Sequence, residues 1–191
     1  MNYWQNRYEN QQTGWDIGYP STPLKEYIDQ LTDRSISILI PGAGNAYEAE
    51  YLWRQGFQNV TVVDIAKAPL ENLAERLPDF PPANLIHTDF YEHQGQYDLI
   101  LEQTFFCALP PGPENRQRYA KKMHELLKPG GKLVGLLFDF AFEDGKGPPH
   151  GGSKTEYLGY LEPSFNVKTL DRAYNSIKPR AGKELFLIGV K

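Results

Sequence analysis

Cysteine is almost missing from this sequence: Cys107 stands alone among 191 residues. A single thiol excludes an intramolecular disulfide and fits a reducing compartment better than an oxidising one. It lies in the run Phe105-Phe106-Cys107-Ala108-Leu109, where it reads as a small buried hydrophobe and not as a nucleophile. Long hydrophobic runs are lacking too. No stretch approaches the roughly 18 apolar residues of a membrane span, and no basic-then-apolar leader opens the chain. A soluble, cytoplasmic protein is expected. Charge of one sign is also scarce. The net charge of −4 is spread along the chain, so no nucleic-acid footprint is expected. Arg116, Arg118, Lys121, Lys122 and Lys128 do cluster, and they read as the wet face of one amphipathic helix. The four histidines lack a second ligand at metal-binding spacing, so no metal is expected. A nucleophile elbow is missing as well, which sets hydrolase chemistry aside.

What the chain does hold is a strand, turn, helix and strand over residues 36–64. Residues 36–40 are short, β-branched and apolar, as a strand buried on both faces should be. Pro41-Gly42-Ala43-Gly44 turns the chain, and a helix over 47–55 carries Ala49, Leu52 and Trp53 as its apolar positions. Gly56 is its expected C′ cap. A second apolar run over 60–63 delivers Asp64, 22 residues past Gly42. Gly42 and Gly44 permit a backbone approach that a Cβ would block, and Asp64 can accept from a ribose diol. The dinucleotide fingerprint wants a third glycine where this chain has Tyr47. That argues against a pyrophosphate on the helix N-terminus. S-adenosylmethionine, which has no phosphate, tolerates the change.

The rest of the chain alternates strands and helices. Helices are expected over 22–31, with Thr22 as N-cap and Pro23 first inside, and over 67–77, 113–127 and 155–161. Strands are expected over 84–87, 97–103 and 133–138, with a final antiparallel pair over 165–170 and 185–190, and 128–131 as a tight turn. This makes one α/β domain over 1–191. Residues 1–20 carry Tyr3, Trp4, Tyr8, Trp15 and Tyr19 among polar residues, and Trp4 and Tyr8 would share a helix face. A solvated tail is poor in such rings, so this segment reads as an arm folded over the site. Residues 140–153, rich in Gly and Pro, read as a lid-like loop.

Asp89-Phe90, at the end of the third strand, offers an acid for an adenine amino group and a ring to cover the base. Glu102-Gln103, at the end of the fourth, is expected to point into the same crevice, since ligands sit outside the carboxyl ends of parallel strands. His87 and His93 read as loop caps and His124 as solvated. His150 is the histidine placed to meet a substrate.

Together these features resemble the class I S-adenosylmethionine-dependent methyltransferases, and more narrowly the thiopurine S-methyltransferase superfamily in its plant-type halide/thiol branch. The resemblance runs through the arm aromatics Trp4, Tyr8 and Trp15, then Trp15-Asp16-Ile17-Gly18, Thr22-Pro23-Leu24 and Pro41-Gly42-Ala43-Gly44. It continues in Phe105-Phe106-Cys107-Ala108, Leu126-Leu127-Lys128-Pro129, Gly147-Pro148-Pro149 and the tail from Asn175 to Glu184. It implies a Rossmann-like, seven-stranded, mostly parallel sheet with one antiparallel strand and helices on both faces. It implies S-adenosylmethionine as cofactor and S-adenosylhomocysteine as product. Contacts would come from Trp4, Tyr8, Trp15, Gly42, Gly44, Asp64, Asp89, Phe90 and Gln103. Two positions depart from the family pattern: the second arm aromatic is Tyr8 where relatives have Trp, and Gln103 stands where relatives place Tyr or Arg.

The acceptor implied is a small thiol or thiolate, of thiopurine type or hydrosulfide, or a halide or thiocyanate ion. An O- or N-methyltransferase is the rival, and would need a base such as His150 or Glu102. A cofactor-binding module without turnover is a second rival. An NAD-dependent oxidoreductase is disfavoured by Tyr47 and by the lack of a Tyr-x-x-x-Lys pair. Neither nucleic acid, membrane nor an obligate protein partner is expected, and the chain reads as a monomer.

Overall fold

A computed structural model describes residues 3–141 and 147–191. Seven strands form one sheet: β1 Ile38–Pro41, β2 Val60–Asp64, β3 Leu85–His87, β4 Tyr97–Gln103, β5 Leu127–Phe138, β6 Asn166–Arg172 and β7 Glu184–Val190. Their order is β3-β2-β1-β4-β5-β7-β6. Pairs β1–β2, β2–β3, β1–β4 and β4–β5 are parallel, and β7 runs antiparallel to both β5 and β6. The strand order reverses between β1 and β4, where a doubly wound sheet opens its crevice.

Among the described residues there are six α-helices, α1 Tyr3–Glu9, α2 Thr22–Asp29, α3 Tyr47–Arg54, α4 Lys67–Arg76, α5 Pro113–Leu126 and α6 Lys154–Leu161, and the last five cover the two faces. Side chains alternate across a strand, so each strand feeds two cores. Ile38, Ile40, Leu99 and Leu101 join Leu24, Leu52 and Leu73 of α2, α3 and α4. Leu39 and Ile100 join Tyr119 and Met123 of α5 with Tyr157 of α6 on the other face. The doubly wound architecture is thus the one expected.

Several local expectations shift. Ser21, not Thr22, is the N-cap of α2, and neither hydroxyl caps it: Ser21 donates its backbone N–H to Glu48 Oε1 at 2.8 Å, and Thr22 Oγ1 donates to the Asn175 carbonyl. Residues 128–131 lie within β5 and not in a separate turn. Tyr97 pairs with Leu127 and Leu99 with Lys132, so these residues are extra on the β5 side. Gly130, at φ +77°, supplies the bend. Gly56 does end α3, with φ +90° and its N–H on the Trp53 carbonyl.

The basic cluster also divides. Arg118 and Lys121 are exposed on α5, but Arg116 is 3% exposed. It shares the helix stripe of Tyr119, Ala120 and Met123, three, four and seven residues on, and that stripe faces the sheet. Lys128 lies on β5 and pairs with Asp98 at 2.8 Å. Among the described residues no helix is long and apolar enough to cross a membrane.

Candidate active site

A cavity of about 840 Å³ opens above the carboxyl ends of the parallel strands. It draws on the loops after β1, β2, β3, β4 and β5, and on the segment before α2. Its position is the one the switch point demands.

The glycine turn and Asp64 form one corner. Gly42 and Gly44 have φ of +55° and +54°, a region that a Cβ disfavours. Asp64 Oδ2 accepts from the Gly44 N–H at 2.9 Å and Oδ1 from the Ala66 N–H at 2.8 Å, so the carboxylate ties the turn to the end of β2. Burial pushes its carboxyl up to about 6, against the pull of those amides. The close approach that the glycines permit is used here by the chain itself. A Cβ on Gly42 would lie 1.9 Å from Phe105 Cδ2, and one on Gly44 would lie 2.8 Å from the Tyr8 hydroxyl. Tyr47, at the missing third glycine, sends its ring beneath the Arg76 guanidinium at 4.7 Å and its hydroxyl to Asp16 at 3.4 Å.

The N-terminal segment brings the aromatics. Trp15 meets Trp4 edge-on at 5.3 Å and Tyr8 at 5.7 Å, and its indole N–H donates to the Tyr8 hydroxyl at 3.3 Å. All three line the cavity. Burial pushes the Tyr8 phenol well up, so it stays neutral. Asp16 accepts from the Asn45 amide, and Arg180 Nη2 donates to the Trp15 carbonyl at 2.7 Å.

Asp89, Phe90 and Gln103 also face the cavity. Asp89 is exposed, with Oδ1 accepting from the Tyr91 N–H at 2.8 Å. Phe90 is 5% exposed and meets Phe105 edge-on at 5.2 Å. Gln103 Nε2 is buried and has no hydrogen-bond partner among the described residues.

Glu102 does not join them, which corrects the expectation for the pair. Neighbours on a strand point to opposite faces, so if Gln103 faces the cavity Glu102 cannot. It is fully buried beneath the turn that follows β4, and burial pushes its carboxyl up to about 8. His150 is likewise not among the residues lining the cavity, although Pro148 and Pro149 are. Its backbone N–H donates to the Cys107 carbonyl at 2.7 Å. Residues 142–146 of the expected lid-like loop lie outside the described residues.

The remaining single residues fall as follows. Cys107 is 0% exposed, its thiol pushed up to about 12 by burial, as an inert buried hydrophobe should be. His87 Nε2 lies 3.1 Å from the Ile65 carbonyl, and His93 is buried against the Tyr97 hydroxyl at 2.8 Å. His124 is partly exposed and meets Phe165 edge-on at 5.8 Å. Among the described residues no cluster of His, Cys, Asp and Glu could hold a metal.

The sequence reading missed four basic residues on the cavity wall: Arg7, Arg118, Arg180 and Lys183. Arg118 lies 3.8 Å over the Tyr91 ring and Arg7 5.5 Å over Trp15. An Arg next to an aromatic cluster was the available signal for Arg7. Nothing local marked Arg118, because Tyr91 is distant in sequence.

Residues 1–186 match the family model described as Thiopurine S-methyltransferase. "Probable thiol methyltransferase 2" of Arabidopsis thaliana is 31% identical over 187 residues, 95% of this chain and 81% of that protein. "Thiocyanate methyltransferase 1" of Brassica oleracea is 30% identical over the same shares of the two chains, 95% and 81%. Among solved structures, Burkholderia thailandensis 1,6-didemethyltoxoflavin-N1-methyltransferase with bound 1,6-didemethyltoxoflavin and S-adenosylhomocysteine superposes with a TM-score of 0.76. It is 20% identical, and the match covers 97% of this chain and 84% of that one. Magnesium protoporphyrin IX methyltransferase from Synechocystis PCC 6803, with bound S-adenosylmethionine, gives a TM-score of 0.68 at 14% identity, covering 100% and 85%. At such identities the two structures share the fold: a seven-stranded sheet with β7 antiparallel, that of the class I methyltransferases.

Proposed function

The chain belongs to the thiopurine S-methyltransferase family, and from that premise we propose that it methylates a small, polarisable nucleophile. It is an S-adenosylmethionine-dependent methyltransferase. The acceptor we propose is a thiolate, hydrosulfide, halide or thiocyanate; thiol and thiocyanate stand in the names of the methyltransferases it resembles. One observation carries the choice within the class: neither Glu102 nor His150 lines the cavity, and the carboxylates that do, Asp16, Glu48, Asp64 and Asp89, each already accept a hydrogen bond from the chain itself. An alcohol or amine acceptor needs a group to take its proton, whereas a thiolate or halide brings a lone pair already free. The charge of such an anion is neutralised as it reacts with a cationic donor, so a dry site favours the step.

The residues present fit the cofactor. Asp64 accepts from backbone N–H groups at both oxygens and still has a lone pair to offer a ribose hydroxyl. Asp89 Oδ1 is engaged by Tyr91, which leaves Oδ2 to accept from an adenine amino group while Phe90 covers the base. Trp4, Tyr8 and Trp15 line the cavity and offer ring faces to a cation, each good face worth about 0.5–2 kcal/mol. S-adenosylmethionine supplies an electrophilic methyl on a sulfonium. The work left to the protein is alignment and exclusion of water. Residues 3–20 would act as a lid, tied down through Asp16 and the Trp15 carbonyl. Gln103 Nε2, buried and without a partner among the described residues, would donate to the incoming anion.

We also propose a monomer working in the cytoplasm. The buried lone cysteine suits a reducing compartment. Exposed large apolar side chains among the described residues are only Tyr3, Tyr19, Ile65 and Tyr174, too few for an obligate interface.

The test is sealed-vial headspace chromatography of protein and S-adenosylmethionine with iodide, thiocyanate, hydrosulfide or a small aryl thiol in turn. Cofactor-dependent methyl iodide, methyl thiocyanate or methylated thiol is the expected product. If calorimetry shows cofactor binding and none of these forms, the acceptor class is wrong and an O- or N-acceptor replaces it.

A further inference from the structure

Behind the cavity wall lie two buried ionisable side chains that methyl transfer itself does not use. Glu102 on β4 is 0% exposed, and its Oε2 accepts from the backbone N–H of Phe105 at 2.6 Å and of Phe106 at 3.1 Å. Arg116 on α5 is 3% exposed. Its Nη1 donates to the Phe106 carbonyl, and its guanidinium lies 4.0 Å over the Phe106 ring. One turn is therefore gripped from both polarities, its amides by the carboxyl group and its carbonyl by the guanidinium.

This turn is one the backbone would not choose unaided. Thr104 has φ +56°, a left-handed conformation that a β-branched residue adopts only under constraint. What the turn delivers is Phe105, whose ring presses on Gly42 so closely that a Cβ there would lie 1.9 Å from Cδ2. The same ring meets Phe90 edge-on at 5.2 Å, and both rings line the cavity. The sheet is shaped around the carboxyl group as well. A Cβ on Gly135 of β5 would lie 2.5 Å from Glu102 Cγ, so β5 carries the one residue that leaves room.

Packing alone does not explain a buried acid, because an apolar side chain of similar volume would fill the space without desolvating a carboxyl group. We propose that Glu102 is a positioning residue: with Arg116 it holds the turn at 104–106 so that Phe105 stands on Gly42 and forms the wall against which the cofactor binds. Its geometry is independent of the acceptor, while its consequence rests on the cofactor corner described above. Burial pushes the Glu102 carboxyl up to about 8, so its neutral form dominates near pH 7. The groups facing it are Arg116 and Tyr119 from α5 and Cys107 from the following turn, with uncharged Gly135 from β5. A neutral amide that keeps the acceptor oxygen should therefore replace it.

The experiment is calorimetric binding of S-adenosylhomocysteine to the full chain as wild type, E102Q, E102D, E102A, F105A and E102A/F105A. E102A should weaken binding by about tenfold or more, and E102Q should restore it to within about threefold of wild type. E102D, one methylene short of both amides, should fall between them. F105A should also weaken binding, and adding E102A to it should cost less than about twofold more. Wild-type affinity in E102A, no rescue by E102Q, or losses that multiply in the double variant would each overturn the assignment. If E102A does not fold, E102M decides it, since methionine keeps the volume and lacks the acceptor oxygen: binding weaker than in E102Q supports the assignment, and binding equal to E102Q overturns it. S-adenosylhomocysteine binding does not involve the acceptor. A wild type that binds it yet methylates no thiol or halide would overturn the acceptor class alone.

Discussion

The side-chain oxygen of Gln5 accepts the backbone N–H of Lys67 at 2.8 Å and that of Ala68 at 3.1 Å. The residue before α4 is Ala66, which has no side-chain acceptor, so the N-terminal segment supplies the missing cap from 62 residues away. The bond therefore serves two elements. It finishes α4, and it holds α1 with Trp4 and Tyr8 over the cavity.

Gln5→Ala should cost about 1 kcal/mol of stability, the worth of a helix cap, and should loosen α1. The expected outcome is a several-fold rise in KM for S-adenosylmethionine together with faster proteolytic nicking before residue 20. Unchanged KM and unchanged nicking would show that Trp15 and Asp16 hold the segment by themselves.

Asp64 gives a pH dependence with a definite sign. Its carboxyl is raised from an ordinary 3.8 to about 6 by burial, so the fold favours the protonated form. Its contribution to stability is complete below the unfolded value and is lost as pH rises through about 6. Ligand hydroxyls need the ionised form, so their binding opposes that preference. Affinity for S-adenosylhomocysteine should rise by about tenfold from pH 5 to pH 7 and then level off. Asp64→Asn should bind weakly and without that slope, as calorimetry in matched buffers would reveal.

Gly42→Ala places a Cβ 1.9 Å from Phe105 at a φ of +55°. Overpacking and backbone strain together predict a loss of about 1–3 kcal/mol, read as a lower midpoint in urea unfolding. Adding Phe105→Ala should recover the overpacking part, leaving the backbone part. No recovery would mean that the two residues do not share this space in solution.

Gln103 is the residue to change for acceptor discrimination. Gln103→Glu puts a carboxylate where an anion is proposed to arrive, so kcat/KM for thiocyanate or a thiolate should fall by about tenfold or more. Affinity for S-adenosylhomocysteine should change far less. An equal loss in both would place Gln103 on the cofactor instead.

Elements made by local pattern were legible in the sequence. Tyr97–Gln103 is the strand expected because its apolar run is bounded by polar residues at both ends, and Gly56 ends α3 because only glycine enters that φ cheaply. The glycine turn, Asp64 and the aromatics Trp4, Tyr8 and Trp15 stand out in the sequence as well, and all of them line one cavity. Arg116 departs from the wet face that its charge suggests, although its spacing to Tyr119, Ala120 and Met123 puts it on the buried stripe. Its partner, the Phe106 carbonyl, belongs to another element and leaves no mark on the helix pattern.

The residues alone thus determined the alternation of strands and helices, the family resemblance and the set of rings and acids at the strand ends. Those follow from period, turn chemistry and motif, which are local. Only the tertiary structure decided which acid faces the cavity, Asp64 or Glu102, and which histidine does not. It also decided that Gln5 caps α4 and that Phe105 fills the space over Gly42. Each of those outcomes depends on two distant segments meeting, and a hydrogen bond or a contact across such a distance leaves no trace in the spacing of either segment.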